Sequence, residues 1–206
     1  MSYSLNEVEV TAKRATRGAG FTWGLAEDTA KAIRWLCAHD LDGVGFLAGL
    51  LEQSDRDVHA PVSLDGDWVG KGALCPLRTG CLLSDSAHLL SRQPIVIQHV
   101  AVPALVLPFA ALAARQLNEP VVLDCDGMTV CTDGQILSST ADWPTMAQTV
   151  MITTGGDLPV SSLRRTRASP RSADWDALNR FAHKTYAPAT EESRLLGAGA
   201  GLSDND

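Results

Sequence analysis

Hydrophobic residues recur every three or four positions through the N-terminal quarter of the chain, which is the period of helices with one buried face. The stripes are Leu5, Val8, Ala12 and Ala15, then Leu25, Thr29, Ile33 and Leu36, then Leu47, Leu50 and Leu51. Ser4 and Glu7 have the S-x-x-E spacing of a capping box. Gly18 is predicted to end the first helix as a left-handed cap. The pattern therefore predicts three short helices that form a layer over residues 1–54.

The pattern changes after Ser54, where β-branched and alternating residues replace the helical stripes. The predicted elements are hairpins at 62–69 and 121–131, strands at 94–102 and 149–153, a helix over 109–117 and a last helix from Ser172. We expect an α+β fold in which the N-terminal three-helix layer packs on a mixed, mostly antiparallel sheet, with a C-terminal helix. Residues 1–206 are interpreted as a single domain, with the sheet region at 55–160 and a basic loop, helix and tail at 161–206.

Composition is typical of a globular protein and argues against two classes of partner. Hydrophobic residues make up 45% of the 206 positions and charged residues 20%, as in a packed domain. A net charge of −7 argues against general nucleic-acid binding and against an anionic membrane surface, because both require a basic face. The apolar run from Val100 to Ala114 is interrupted by Pro103 and Pro108 and is too short to cross a bilayer.

The cysteines and the N-terminal residues predict a cytoplasmic protein with reduced thiols. The chain has 5 cysteines, an odd number without close pairs, and its first residues lack the basic and apolar regions of a secretion signal. Structural zinc sites prefer cysteines separated by two to four residues, whereas Cys75 and Cys81 are more widely spaced. We expect buried, inert thiols and no metal site.

The turn between the first two predicted helices is the best candidate for a ligand site. Its candidate residues are Arg14, Arg17, Gly18, Gly20, Trp23 and Glu27. The two arginines and the first amides of the second helix could hold a carboxylate or phosphate, and the glycines would let it approach the backbone. In this hypothesis Trp23 is an apolar wall and Glu27 is a catalytic acid or base. The alternative is an ordinary corner between helices with solvated arginines.

The C-terminal segment could close that pocket. Alternating glycines over residues 197–201 precede a polar end that contains Asp204 and Asp206. These carboxylates could neutralise Arg14 and Arg17 or bind a hard cation through oxygen. The alternative is a frayed terminus, although the leucines of this segment favour docking because they are costly to leave exposed.

A second group of cations precedes the last predicted helix. It consists of Arg164, Arg165, Arg167 and Arg171. Such a cluster could bind an anionic ligand or an acidic partner. The acidic remainder of the chain favours the alternative of a solvated loop.

These observations lead to two functional hypotheses. The first is a cytoplasmic protein that binds or transforms a small anionic metabolite carrying a carboxylate or phosphate. The alternative is a non-catalytic accessory or interaction protein whose glycine-rich tail docks on itself or on a partner, a homodimer included. No dinucleotide fingerprint, phosphate-binding loop or nucleophile elbow is present, so the cofactor stays unspecified.

Short segments at both ends of the chain carry a resemblance to a known family. They are Ser-Leu-Asn-Glu at 4–7, Ala-Lys-Arg-Ala at 12–15, Arg-Gly-Ala-Gly at 17–20, Trp-Gly-Leu-Ala-Glu-Asp at 23–28, Gly-Ala-Gly-Ala-Gly at 197–201 and Asp-Asn-Asp at 204–206. The chain resembles a bacterial family of ~200-residue proteins of unknown function over essentially its whole length. The resemblance implies no activity, and it marks the two ends as the distinctive segments.

Overall fold

The structure is a computed structural model that describes residues 1–53, 59–62, 66–139 and 142–185. Its helices are α1 Leu5–Gly18, α2 Trp23–Ala38, α3 Gly43–Gln53, α4 Pro76–Asp85, α5 Leu107–Leu117 and α6 Ser172–His183. Its strands are β1 Tyr3–Ser4, β2 Ile95–Ala101, β3 Val121–Cys125, β4 Met128–Thr132, β5 Met146–Thr154 and β6 Arg167–Ala168. The described residues combine these helices with strands that pair antiparallel, so the predicted α+β class is confirmed.

Local side-chain chemistry determines where the first two helices begin. The Glu7 amide donates to the Ser4 hydroxyl at 3.2 Å, and the Ser4 amide donates to the Glu7 carboxylate at 2.7 Å, which is the predicted capping box. Thr22 caps α2 by accepting a hydrogen bond from the Leu25 amide. The left-handed residue of the intervening turn is Gly20, with φ of 96°. Helix α1 ends at Gly18 as predicted, but Gly18 is helical and lacks a positive φ, so the prediction of a left-handed conformation there was wrong.

The strands form an antiparallel sheet of 4 strands in the order β2-β5-β3-β4. Ile97 pairs with Val150 and Leu123 pairs with Ile152, and these side chains are buried on the face toward the helices. An isolated parallel bridge between Trp68 and Ile97 extends the edge of the sheet. Strands β2 to β5 therefore lie where the alternating pattern predicts them.

Helix α5 packs directly on this sheet. It packs against β3 and β4 on one side and against α2 and α4 on the others. Pro108 lies in its first turn, as predicted. Helix α4 was not predicted, although Pro76 occupies its first turn in the same way. Gly80 allows the close approach of α4 and α5, since a Cβ there would lie 2.2 Å from the Phe109 ring.

The C-terminal helix joins the N-terminal helical layer. Helix α6 packs on α1 and α3, and the ring of Trp175 stacks on that of Tyr3 with centroids 3.8 Å apart. Tyr3 pairs with Ala168 and Ser4 pairs with Arg167, which joins β1 to β6. Part of the predicted basic loop is therefore a strand.

One cluster of buried apolar side chains connects all of these elements. It extends from Val8 on α1 through Leu50, Ile97 and Leu123 to Leu178 on α6. The three predicted regions thus share a core, while their assignment to a single domain stays a prediction. Among the described residues, no helix combines the length and apolarity needed to cross a membrane.

Candidate functional site

The corner between α1 and α2 brings together several of the predicted site residues. The Arg17 guanidinium donates to the Phe21 carbonyl at 2.9 Å and lies 5.2 Å from the ring centroid of Trp23. The Lys13 ammonium lies 5.9 Å from the same ring and bonds to the Glu27 carboxylate at 2.6 Å. Trp23 itself is 56% exposed. The corner is thus a surface cluster of two cations around one indole.

Glu27 is an ion-pair partner in this cluster. The hydrogen bond from Lys13, together with its positive charge, lowers the pKa of the Glu27 carboxyl group. A lowered pKa favours the carboxylate and makes it a weaker base. A catalytic role for Glu27 stays a prediction.

The two predicted ligand-binding glycines have different surroundings. A Cβ on Gly18 would lie 1.8 Å from the carbonyl oxygen of Phe181, so α6 occupies that side of α1. A Cβ on Gly20 would meet nothing within 4 Å. Arg14 lies exposed on α1. The ligand-binding roles of these residues are not tested by the packing and stay predictions.

The predicted acidic closure falls on residues that the structure does not describe. Asp204 and Asp206, like the rest of 186–206, lie outside the described residues. Closure of a pocket by these carboxylates, cation binding by them and docking of the tail on a partner all stay predictions.

A different cleft has the features of an anion site. It has a volume of about 660 Å³ and lies between the C-terminal end of α5, the turn after β4 and the segment 160–164. Its lining residues are Arg115, Gln135, Ile136, Val160, Ser161, Ser162 and Arg164. The described lining therefore contains two guanidinium groups and no carboxylate side chain.

Two consecutive carbonyl groups anchor these arginines. The Gly134 carbonyl accepts hydrogen bonds from the Arg115 guanidinium and, at 3.1 Å, from the Trp35 indole. The next carbonyl, that of Gln135, accepts from the Arg164 guanidinium at 3.0 Å. Each guanidinium has five N–H donors, so both keep donors for a ligand. The arginines are thus held by the protein without being neutralised by these contacts.

The turn that carries these carbonyls is itself tightly built. The Asp133 carboxylate accepts hydrogen bonds from the amides of Gln135 and Ile136, each at 2.7 Å. Partial burial opposes ionisation of Asp133, but these hydrogen bonds and the charge of Arg115 outweigh it and lower the pKa. Gly134 adopts φ of 92°, a conformation that favours glycine. The negative charge of the Asp133 carboxylate is therefore stabilised by backbone amides of its own turn.

A buried histidine, His39, also contacts this turn. His39 is 1% exposed. Its Nδ1 lies 2.9 Å from the Trp35 carbonyl oxygen, and its Nε2 lies 3.0 Å from the Gln135 carbonyl oxygen and 3.3 Å from Arg164. Helix α2 thus positions the cleft through both Trp35 and His39.

The other three arginines of the predicted basic cluster, Arg165, Arg167 and Arg171, lie at a separate cleft of about 690 Å³. There Arg165 forms a two-fold hydrogen bond with Asp40, and Arg171 forms one with Asp174. Asp40 and Asp42 also line this cleft. These carboxylates compete with any anion for Arg165 and Arg171, so we regard this cleft as the weaker candidate for anion binding, although Arg167 donates to the hydroxyl and carbonyl oxygens of Ser2.

The cysteines are buried or half-buried free thiols. Burial raises the pKa of Cys37 to about 11, and burial together with nearby carboxylates raises that of Cys81 to about 12. Such thiols are weak nucleophiles at neutral pH. Within the described ranges, no group of three or more His, Cys, Asp or Glu residues is arranged to hold a metal ion.

Sequence reasoning missed most of the cleft between Arg115 and Arg164. Arg115 is a single exposed cation on a helix, a feature too common to indicate function. Arg164 belongs to the predicted basic cluster, and Asp133-Gly134 has the composition of a tight turn. The signals were present separately, but only the fold brings the turn beneath both arginines.

Comparison with known proteins finds a family-model match over the N-terminal part of the chain. No curated protein and no solved structure matches the chain. Trp35 and His39 belong to the segment that does match a family model, whereas both arginines of the cleft follow it. The predicted resemblance to a family of unknown function is confirmed for residues 3–72, which match the family described as a protein of unknown function (DUF3726).

Proposed function

We propose that this protein binds a small anionic metabolite, one carrying a carboxylate or phosphate, in the cleft between Arg115 and Arg164. One observation carries the proposal: two guanidinium groups from separate elements line one cleft, and consecutive carbonyls of a single turn anchor both. Arginine forks match the geometry of carboxylate and phosphate oxygens and bind them bidentately.

The neighbouring polar groups suit the same ligand. Ser161, Ser162 and Gln135 line the cleft beside the arginines. The Ser162 hydroxyl accepts a hydrogen bond from the Leu137 amide at 3.3 Å, which leaves its own proton for an acceptor in the cleft. Anchored donors lose little freedom when an anion binds, and this reduces the entropic cost of binding.

The corner between α1 and α2 supports anion binding less well. Its Lys13 is paired with the Glu27 carboxylate, and Arg17 lies against the Trp23 ring and donates to a carbonyl of its own turn. A ligand there would have to compete with Glu27 for Lys13. The Arg115–Arg164 cleft requires no such exchange with a lining carboxylate.

Calorimetric titration with inorganic phosphate and with acetate, at low ionic strength, tests the proposal. We expect Arg164→Gln and Arg115→Gln each to weaken binding by roughly tenfold or more, because hydrogen bonds to charged groups contribute about 1.5–3 kcal/mol. Arg17→Gln is the matched control and should bind like the unmodified protein. Thermal unfolding of each variant checks that the turn remains folded.

Three results would count against the proposal. The first is binding that is lost in Arg17→Gln and retained in the Arg115 and Arg164 variants, which would favour the corner between α1 and α2. The second is the absence of heat or chemical-shift change with either anion up to about 10 mM, which means a binding free energy weaker than about −2.7 kcal/mol. The third is equal affinity of Arg164→Gln and the unmodified protein for the anion. Arg164→Lys separates charge from geometry, since lysine keeps the charge but not the planar fork.

A further inference from the structure

We infer that the anion bound between Arg115 and Arg164 also carries a ring-sized hydrocarbon group, and that this group occupies a second cleft between α2 and α5. The inference rests on the proposed function and defines its substrate class as aryl or short alkyl carboxylates and phosphates. The observations that support it are the lining of the second cleft, the residue that it shares with the first and its charge.

The second cleft is small and mainly apolar. Its volume is about 270 Å³, enough for one aromatic ring with a short linker. Its apolar lining residues are Ala32, Trp35, Pro108, Ala111 and Leu112. Leu112 is 41% exposed, so a bound apolar group would remove part of its side chain from water. A concave site of this kind, with few polar groups, is typical of small-ligand pockets.

Arg115 lines both clefts. Its guanidinium and the Trp35 indole donate to the same carbonyl, that of Gly134. The cation of the anion site and the aromatic wall of the apolar cleft are therefore held at one point. A molecule whose acidic group binds Arg115 needs only a short linker to reach the Trp35 side.

Charge at the apolar cleft favours an anionic ligand over a neutral or cationic one. Lys31 and Arg115 line it with one carboxylate, that of Asp28. Lys31 and Asp28 lie 3.7 Å apart as an exposed pair, so the two cations and one carboxylate of the lining leave it with a net positive charge. Cationic ligands would bring a positive charge toward the Arg115 guanidinium at a cost in binding energy.

Titrations with a matched series of probes test the inference. Acetate and inorganic phosphate supply the acidic group alone, phenylacetate and 3-phenylpropionate add a ring, and benzyl alcohol supplies the ring without the charge. We expect the two aryl carboxylates to bind at least about tenfold more tightly than acetate, given ~25 cal/mol per Å² of apolar area removed from water. Benzyl alcohol should bind more weakly than either aryl acid.

A pair of variants assigns the gain to the α2–α5 cleft. Leu112→Asn should reduce affinity for phenylacetate by roughly three- to tenfold and leave affinity for phosphate unchanged. Val10→Asn is the matched control, because Val10 is also an exposed apolar helix residue, 50% exposed on α1, and it should change neither. Chemical-shift changes of the Trp35 indole N–H on adding phenylacetate would support the inference.

Distinct outcomes separate this inference from the function on which it rests. Phosphate binding that depends on Arg164, combined with equal affinities for acetate and phenylacetate, overturns the apolar subsite and leaves the anion site standing. A preference for phenylacetate that survives Leu112→Asn also overturns it. Absence of binding by every acid probe overturns both proposals.

Discussion

At the scale of single residues, two glycines with the same local conformation have different surroundings. Gly127 and Gly134 each follow an aspartate and each have φ of 92°. A Cβ on Gly127 would meet nothing within 4 Å, whereas one on Gly134 would lie 2.5 Å from Cγ of Arg115 and 2.6 Å from the Ala111 carbonyl oxygen. Substitutions at these two positions therefore distinguish the cost of backbone strain, which both share, from the cost of steric contact with Arg115 and α5, which only Gly134 has.

We expect Gly127→Ala to lower the free energy of unfolding by about 1–2 kcal/mol, the cost of a left-handed alanine. Gly134→Ala should lower it by a further ~1–3 kcal/mol, because the methyl group must displace Arg115 or the α5 backbone in a close-packed region. Urea unfolding followed by far-UV circular dichroism measures both. Equal destabilisation of the two variants would contradict the packing described for Gly134.

The same glycine indicates how far the site could be predicted. The Asp133-Gly134 dipeptide predicts a tight turn from local chemistry alone. The Gly134 carbonyl accepts a hydrogen bond from Arg115, 19 residues away, and the next carbonyl, that of Gln135, accepts one from Arg164, 29 residues away. Local sequence carries no information about such pairings, so the turn was predictable and its role in the cleft was not.

At the scale of elements, the crossing of α1 and α6 depends on Gly18. A Cβ there would lie 1.8 Å from the Phe181 carbonyl oxygen, so any side chain must push the helices apart. Gly49, in α3, has nothing within 4 Å of its own Cβ position. The two positions are both helical glycines, and they differ in whether another helix touches them.

We expect Gly18→Ala to destabilise the protein by about 2–4 kcal/mol through steric overlap at this crossing. Gly49→Ala should stabilise it by roughly 0.5–1 kcal/mol, because alanine has the higher helix propensity. Thermal and urea unfolding measure both effects. A neutral Gly18→Ala would mean that α6 does not pack closely on α1, and the N-terminal layer would then contain only three helices.

Elements whose formation depends on neighbouring residues were predictable from the sequence, and elements that depend on contacts between distant residues were not. The capping box of Ser4 and Glu7 and the proline at the start of α5 act within one turn, so their sequence patterns suffice. The pairing of Tyr3 with Ala168 joins strands of 2 residues each, too short for any alternation to be visible. Gly18 was misassigned because a cap glycine and a packing glycine look alike in sequence.

At the scale of the whole molecule, the segment that matches the family model relies on the rest of the chain. Residues 3–72 contain α1, α2 and α3. Helices α1 and α3 are covered by α6, and α2 packs on α4 and α5. The Arg165 amide also donates to the Ala38 carbonyl at 2.7 Å, at the end of α2. The matched segment therefore lacks its own complete core.

We predict that the full chain unfolds in one cooperative transition and that a fragment of residues 1–72 does not fold alone. The fragment would lose the cover that α4, α5 and α6 give to α1, α2 and α3, and each large apolar side chain exposed in this way costs about 1.5–3 kcal/mol. A few such losses equal the whole stability of a typical domain. Coincident urea transitions by tryptophan fluorescence and circular dichroism, together with the proton NMR spectrum of the fragment, measure these outcomes. A fragment with dispersed resonances and its own sigmoidal transition would contradict the single shared core. The N-terminal layer would then be an independent domain, and the Arg115–Arg164 cleft, whose turn contacts Trp35 and His39, would lie at a junction between two units.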